Sequence, residues 1–136
     1  MASHNPLGKI SIISLFVEDV AASKAFYKSV FGVSVIFEDD HSAVVRFENL
    51  DVNLLQTSEA ASLVEPYTVG GPDAGKRFQI SIWVKDLEAV CEKLAMQKID
   101  LLTGPQVQPW GLRTVTFADP AGNVWEVAED IRTAKA

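Results

Sequence analysis

The octapeptide ISLFVEDV at residues 13–20 returns as ISIWVKDL at residues 80–87, and this repetition decides the fold. Each position of the first copy meets an identical or similar residue in the second, apart from Glu18 against Lys85. The offset is constant and close to half of the 136 residues. Because self-similarity at a fixed period indicates a repeated structural unit, we predict a duplicated module with a functional cleft between its copies.

Each copy predicts a strand followed directly by a helix. Residues 9–17 alternate and are rich in isoleucine, as expected of a strand, and Asp19 then stands at the N-cap position of a helix. Gly32 is a natural helix end. Turn-like sequences separate the short apolar runs that follow. The first module, 9–57, therefore reads β-α-β-β-β, with its helix at 20–31 and further strands near 33–38, 42–48 and 51–57.

The second half predicts the same order of elements after a long connection, residues 58–77, that is rich in glycine and proline. Asp86 is the expected helix cap, and residues 119–123 have the composition of a tight turn. The second module, 78–130, has predicted strands at 78–84, 99–103, 113–118 and 124–129 and a helix at 87–97. We predict the α+β class, with residues 1–136 as a single domain of two tandem modules.

Alternation along the strands predicts which side chains face away from the helices. Phe78, Ile80, Ile82 and Val84 form an apolar face for the second helix, whereas Trp125 and Val127 take the same side in the last strand. The opposite face then carries Ile12, Ser14 and Phe16 in the first module and Gln79, Ser81, Trp83 and Glu126 in the second. A glutamate and a glutamine would thus share an otherwise apolar concavity.

Composition and charge restrict the class of protein. The chain is 48% apolar and 22% charged, which is a soluble globular balance. A net charge of −6 with scattered lysines and arginines argues against nucleic acid and anionic membrane surfaces as partners. A single cysteine, Cys91, cannot form an intrachain disulfide and is expected as a buried thiol. With no secretory or membrane-spanning pattern, we predict a cytoplasmic protein.

Two motifs resemble the vicinal oxygen chelate superfamily, which includes glyoxalases, extradiol dioxygenases and bleomycin-resistance proteins. One motif covers residues 17–32, with Asp19, Ser23, Phe26, Tyr27, Phe31 and Gly32 as its positions, and the other covers residues 119–126. The resemblance implies two βαβββ modules that form a curved mixed sheet around a cleft.

Enzymes of that superfamily usually hold a divalent metal through side chains of the first and last strands of each module. The corresponding positions here are Ile12, Asn53, Gln79 and Glu126. Isoleucine cannot coordinate a metal, and only Glu126 is an anionic ligand, whereas first-row metals ordinarily need imidazole or several carboxylates. His4 lies near the N-terminus and His41 in a predicted turn. We therefore predict no metal or other cofactor.

The stretch from Pro109 through Trp110, Gly111 and Arg113 into residues 117–123 is similar to bleomycin-resistance proteins. Those proteins sequester a drug in grooves of a dimer, which implies a homodimer here. The predicted function is binding of a small, partly apolar or aromatic ligand, such as an antibiotic. The predicted lining is Ile12, Phe16, Asn53, Gln79, Trp83, Trp110 and Glu126.

Several alternatives stay open at this point. A metal-dependent lyase, isomerase or dioxygenase would centre on Gln79 and Glu126, and without a metal Glu126 is the one candidate for a general base. The aromatic residues Phe16, Trp83 and Trp110 are equally well explained by packing. Gln79 and Glu126 would then hydrogen-bond each other or a backbone group, and Arg113 would pair with an acidic neighbour. A regulatory domain without a ligand is the third class. Phosphate-loop and serine-triad motifs are absent from the sequence.

Overall fold

The computed structural model describes residues 5–132, so His4 lies outside the described residues. The chain divides between Val69 and Gly70 into two compact units, and each unit contains one four-stranded sheet. The α+β prediction is confirmed. No helix within the described part of the chain is long and apolar enough to cross a membrane.

The first unit has the predicted β-α-β-β-β order. Its sheet has the strand order β1-β4-β3-β2, in which β1 and β4 are parallel and the other neighbours are antiparallel. A short helix and a 3-10 turn follow the last strand. The elements are β1 (Ile12–Val17), α1 (Val20–Phe31), β2 (Ser34–Glu38), β3 (Ser42–Arg46), β4 (Asp51–Gln56), α2 (Thr57–Ala60) and the 3-10 turn (Ala61–Leu63).

The second unit repeats this topology. Its sheet has the order β5-β8-β7-β6, again with the first strand parallel to the last and with antiparallel pairs elsewhere. The repeated mixed sheet is what the octapeptide repeat predicts. The elements are β5 (Ile80–Val84), α3 (Leu87–Met96), β6 (Thr103–Val107), β7 (Leu112–Ala118) and β8 (Val124–Asp130).

Helices α1 and α3 are capped at their N-termini by the predicted aspartates. Asp19 Oδ1 accepts a hydrogen bond from the backbone N–H of Ala22 at 3.0 Å, and Asp86 Oδ1 accepts one from Ala89 at 3.1 Å. Each carboxylate satisfies a donor that has no partner within the helix. Helix α1 ends at Gly32, whose φ of 68° suits a residue without a Cβ.

Burial along the strands follows the predicted alternation. In β1, Leu15 and Val17 are buried while Ser14 is exposed, and in β8 Trp125 and Val127 are buried. The helix-facing side of each sheet is therefore its packed side. Phe78 is an exception, because β5 begins only at Ile80, and Phe78 in the preceding loop is exposed. Its assignment to the packed face was wrong.

The predicted strand at 99–103 is also wrong, since β6 spans Thr103–Val107. The backbone N–H of Ile99 still bonds to Leu94 O at 2.9 Å, and Lys98 has a φ of 59°, so this segment closes α3. The first contact with β7 is made by Leu102, whose N–H donates to Thr116 O at 2.7 Å. Gly104 and Pro105 inside β6 conceal the strand, because both residues are poor strand formers.

Candidate functional site

A serine and a glutamate pair across β5 and β8, the two parallel strands of the second unit. Ser81 of β5 lies opposite Glu126 of β8, and its hydroxyl donates to Glu126 Oε1 at 2.8 Å. On the other side of β8, Glu126 lies opposite Thr116 of β7, which is buried. Thr116 Oγ1 is 2.7 Å from Thr103 Oγ1 of β6. A row of four polar side chains therefore crosses this sheet on the face away from α3.

The first unit has the same serine with a different partner. Ser14 of β1 lies opposite Asn53 of β4, and Asn53 Nδ2 donates to Ser14 Oγ over 3.5 Å. The register thus makes Asn53 the counterpart of Glu126, while its neighbour Leu54 is fully buried. The amide oxygen of Asn53 is buried and has no hydrogen-bond partner among residues 5–132. The next residues across this sheet are Val44 of β3 and Phe37 of β2, and both are apolar.

The remaining candidates on β1 and at β5 differ in their exposure. Trp83 lies two residues beyond Ser81, on the same face of β5, and 59% of it is exposed. Gln79 precedes β5 and is exposed. In the first unit, Ile12 opens β1 and is exposed, whereas Phe16 is half-buried opposite Leu55. The repeat-related aromatic residues Phe16 and Trp83 are therefore not equally accessible.

Trp110 occupies the turn between β6 and β7. The N–H of Gln108 donates to Leu112 O at 2.7 Å, and that of Gly111 donates to Gln108 O at 3.0 Å, which closes the turn. Trp110 is exposed at 59%, so more than half of this residue is open to solvent in its unit. The structure thus places Trp83 on β5 and Trp110 in the β6–β7 turn of the same unit, both open to solvent.

Arg113 lies on the other side of the sheet from Glu126. It is half-buried and faces Glu129 across the β7–β8 ladder, in register with the packed residue Val115. No ion pair joins Arg113 to a carboxylate within residues 5–132. Burial raises the pKa of the half-buried Cys91 thiol on α3, and the charge of Arg113 opposes that rise. Because Arg113 and Glu126 lie on opposite faces of the sheet, the register rules out a contact between Arg113 and a ligand at Glu126.

The donor chemistry does not suit a divalent metal. Of the family-equivalent positions, Ile12 has no donor atom, Asn53 and Gln79 offer neutral amides, and Glu126 already accepts from a hydroxyl. His41 lies in the β2–β3 turn, where its backbone N–H donates to Asp39 Oδ1 at 2.9 Å. No group of three or more histidine, cysteine, aspartate or glutamate side chains in the described residues is arranged to hold a metal ion. The family-equivalent positions Ile12, Asn53, Gln79 and Glu126 supply neither the imidazole nor the paired carboxylates that such a site needs.

Three polar contacts escaped the sequence reasoning. Alternation places Ser81 on the face of Glu126, but only the pairing register shows that the two side chains bond. The side chain of Glu129 on β8 accepts a hydrogen bond from the backbone N–H of Leu87 at 2.8 Å and so caps the N-terminus of α3. Asp119 is buried and accepts from the N–H groups of Ala121 and Asn123. The repeated serine was the one local signal for the first contact.

Comparison with known proteins agrees with the repeated topology. A crystal structure of a glyoxalase/bleomycin resistance protein/dioxygenase from Nocardioides aligns with a TM-score of 0.81 and 18% identity, covering 97% of this chain and 87% of that chain. Lactoylglutathione lyase from Agrobacterium tumefaciens aligns with a TM-score of 0.72 and 21% identity, over 92% and 96% of the two chains. TioX from Micromonospora sp. ML1 aligns with a TM-score of 0.67 and 24% identity, over 90% and 99%. These similarities establish the fold.

Family membership comes from the sequence. The family model described as Glyoxalase/Bleomycin resistance protein/Dioxygenase superfamily matches residues 9–127, which is most of the chain. The match spans both units and includes the octapeptide repeat, Asn53 and Glu126. The chain belongs to the glyoxalase/bleomycin resistance protein/dioxygenase superfamily.

Proposed function

We propose that the protein binds a small, partly aromatic molecule without a resident metal, on the face of the second sheet that carries Glu126. The observation that carries the proposal is the Ser81–Glu126 hydrogen bond beside the exposed Trp83. It combines an oriented carboxylate with an aromatic surface, which are the two elements of a small-molecule site.

The carboxylate has capacity left for a ligand. Glu126 Oε1 accepts from Ser81, whereas Oε2 has no hydrogen-bond partner within residues 5–132. A carboxylate oxygen that is held on one side favours a ligand N–H or O–H on the other, because charge-assisted hydrogen bonds are the stronger ones. Ligands that carry an amine, amide or hydroxyl donor are therefore preferred over pure hydrocarbons.

Trp83 supplies the apolar contact. Trp83 and Ser81 are two residues apart on β5 and so about 7 Å apart, and Glu126 lies beside Ser81 on the neighbouring strand β8. A ring stacked on Trp83 is therefore within reach of a donor that bonds Glu126. Stacking of two aromatic rings contributes about 0.5–1.5 kcal/mol beyond the area that it buries. Such a contact removes the indole from water and explains why so large a side chain is left exposed at this position.

Binding suits this face better than proton-transfer chemistry. A general base works with a second group that donates or stabilises charge, and the neighbours of Glu126 across the ladders are the hydroxyls of Ser81 and Thr116. Both hydroxyls are neutral and both are engaged, Ser81 with Glu126 and Thr116 with Thr103. The row orients a ligand but offers no acid to complement the base.

A thermal-shift screen against glycopeptide antibiotics, aromatic amines and divalent metals tests the proposal. A ligand at 100 times its Kd stabilises the folded state by about 2.7 kcal/mol. We expect an aromatic hit whose shift falls in both Trp83→Leu and Glu126→Gln and is unchanged in Glu92→Gln, since Glu92 is exposed on α3. Quenching of tryptophan fluorescence that disappears in Trp83→Leu identifies the stacking residue.

The predicted alternative has its own signature. Stoichiometric nickel, zinc, iron or manganese after purification without chelators, lost in Glu126→Gln, overturns the binding proposal in favour of the metal-dependent enzyme. Homodimer formation stays a prediction, for which the test is the sedimentation mass of the whole chain.

A further inference from the structure

The second unit contains a cavity of about 190 Å³ at the entrance to β5, beyond Gln79. Its walls are Gly70 and residues 75–78 of the preceding loop, together with Val124, the first residue of β8, and Asn123 just before it. Two of the lining residues, Lys76 and Arg77, are cationic, and none is acidic. The cavity is thus a small positive site in a chain whose net charge is −6.

The first unit has a cavity at the repeat-related place, and its charges cancel. That cavity, of about 290 Å³, lies between residues 9–11 and 46–51. Lys9 precedes Asp19 by the same number of residues as Lys76 precedes Asp86, so the two lysines are repeat partners. In the first unit, however, Arg46 pairs with Asp51 at 3.0 Å, and Glu48 also lines the wall. A common scaffold therefore carries a neutral cavity in one unit and a cationic cavity in the other.

Lys76 is held at the wall by its own loop. Its Nζ donates to Pro72 O at 2.9 Å, which uses one of its three N–H bonds. Gly122 of the turn lies directly against this pair, since a Cβ there would stand 2.8 Å from Pro72 O and 3.2 Å from Lys76 Nζ. With a φ of +91°, Gly122 also has a conformation that disfavours other residues. The turn and the loop thus fit around the ammonium.

The cationic groups are available to a ligand. Within residues 5–132, no carboxylate oxygen lies within 4.0 Å of the Lys76 ammonium or the Arg77 guanidinium. Asp73 of the same loop forms no ion pair and does not line the cavity. Gly70 and Gly75 have no side chains, so they line the cavity with their backbone. Guanidinium, ammonium and backbone N–H groups together are the usual partners of carboxylates and phosphates.

We propose that this cavity binds the carboxylate or phosphate group of a small anionic molecule. Its volume lies below the range of about 300–1,000 Å³ that is typical of drug-sized pockets, so it accommodates one charged group and not a whole large ligand. The site is separate from the Ser81–Glu126 row and does not depend on the proposed function.

Titration of the ¹⁵N-labelled whole chain with inorganic phosphate, and separately with acetate, tests the site by NMR. At constant ionic strength, the amides of Gly70, Gly75 and Asn123 should shift and saturate below about 50 mM, which corresponds to a weak but specific affinity. Arg77→Gln should weaken binding about tenfold, which corresponds to about 1.4 kcal/mol. Saturation by either anion supports the cavity, and the stronger one identifies the group.

Two further variants separate a built site from general positive charge. Lys9→Gln removes the repeat-related lysine in the neutral cavity and should leave the phosphate affinity unchanged. Gly122→Ala keeps both cations but displaces Lys76, and it should weaken binding while the circular dichroism spectrum stays native. Shifts that grow linearly with phosphate, or an equal loss in Lys9→Gln and Arg77→Gln, overturn the proposal. Trp83→Leu should not alter phosphate binding, so this site and the proposed function fail independently.

Discussion

Replacement of Glu129 by alanine should destabilise the second unit more than its position near the end of β8 suggests. The Glu129 carboxylate accepts the N–H of Leu87 at 2.8 Å, and Leu87, the first residue of α3, is fully buried. In Glu129→Ala this donor loses its partner, and the residue that carries it is fully buried in the native structure. A buried donor without a partner costs about 1–3 kcal/mol.

A second contribution comes from the charge of Glu129 at the start of the helix. A carboxylate near a helix N-terminus stabilises it by about 0.3–1 kcal/mol. Together the two effects predict a loss of about 1.3–4 kcal/mol in the free energy of unfolding, or about 5–14 °C in Tm for a chain of this size. Glu129→Gln keeps an oxygen acceptor and loses only the charge, so its loss should be about 1 kcal/mol or less.

Urea denaturation followed by far-ultraviolet circular dichroism measures these losses. Glu92→Ala, an exposed site on α3, is the matched control and should change stability by less than about 0.5 kcal/mol. The difference between wild type and Glu129→Gln should shrink at high salt, because salt screens the helix dipole. If Glu129→Ala is as stable as Glu92→Ala, the cross-strand cap has no energetic role and the argument is refuted.

The other two predictions concern Asp130 and the helix caps. Hydrogen bonds from the Arg132 side chain lower the pKa of Asp130 to about 2. In Arg132→Gln this pKa should move toward 3.8 in a ¹³C carboxyl titration, and any stabilisation by the pair is present above the unfolded-state pKa and is lost as the pH falls toward 2. Asp19→Ala should cost about 0.5–2 kcal/mol in urea denaturation, and Asp86→Ala should cost less because Glu129 also holds α3. The reverse order would contradict the second cap.

The sequence predicts the elements wherever local chemistry decides them. Helix α1 begins after Asp19 and ends before Gly32 as predicted, because a cap and a left-handed glycine act within a few residues. Strand β6 was misplaced because Gly104 and Pro105 interrupt its pattern, and only hydrogen bonds to the distant β7 define it. Local signals identify boundaries, whereas pairing with remote strands has to be observed.

The candidate site divides in the same way. Alternation correctly places Ser81 and Glu126 on one face, since the side-chain period of a strand is two residues. The bond between them depends on register, which no short stretch encodes. Lys76 and Arg77 lie in a loop whose sequence has no hydrophobic periodicity. Their cavity could therefore not be predicted from the sequence, because it depends on how the turn at Gly122 packs against the loop.

The duplication itself separates what supports the fold from what differs between the units. A serine occupies the same position in the first strand of each unit, Ser14 in one and Ser81 in the other, and each lies opposite the last strand of its unit. The serine therefore does not distinguish the two units. Their partners are the neutral Asn53 and the anionic Glu126. The two cavities also differ in charge. The wall of the cavity in the first unit has balanced charge, whereas the wall of the cavity in the second unit is cationic. Since both differences place uncompensated charge in the second unit, polar ligand recognition is expected there, with the first unit as its internal control.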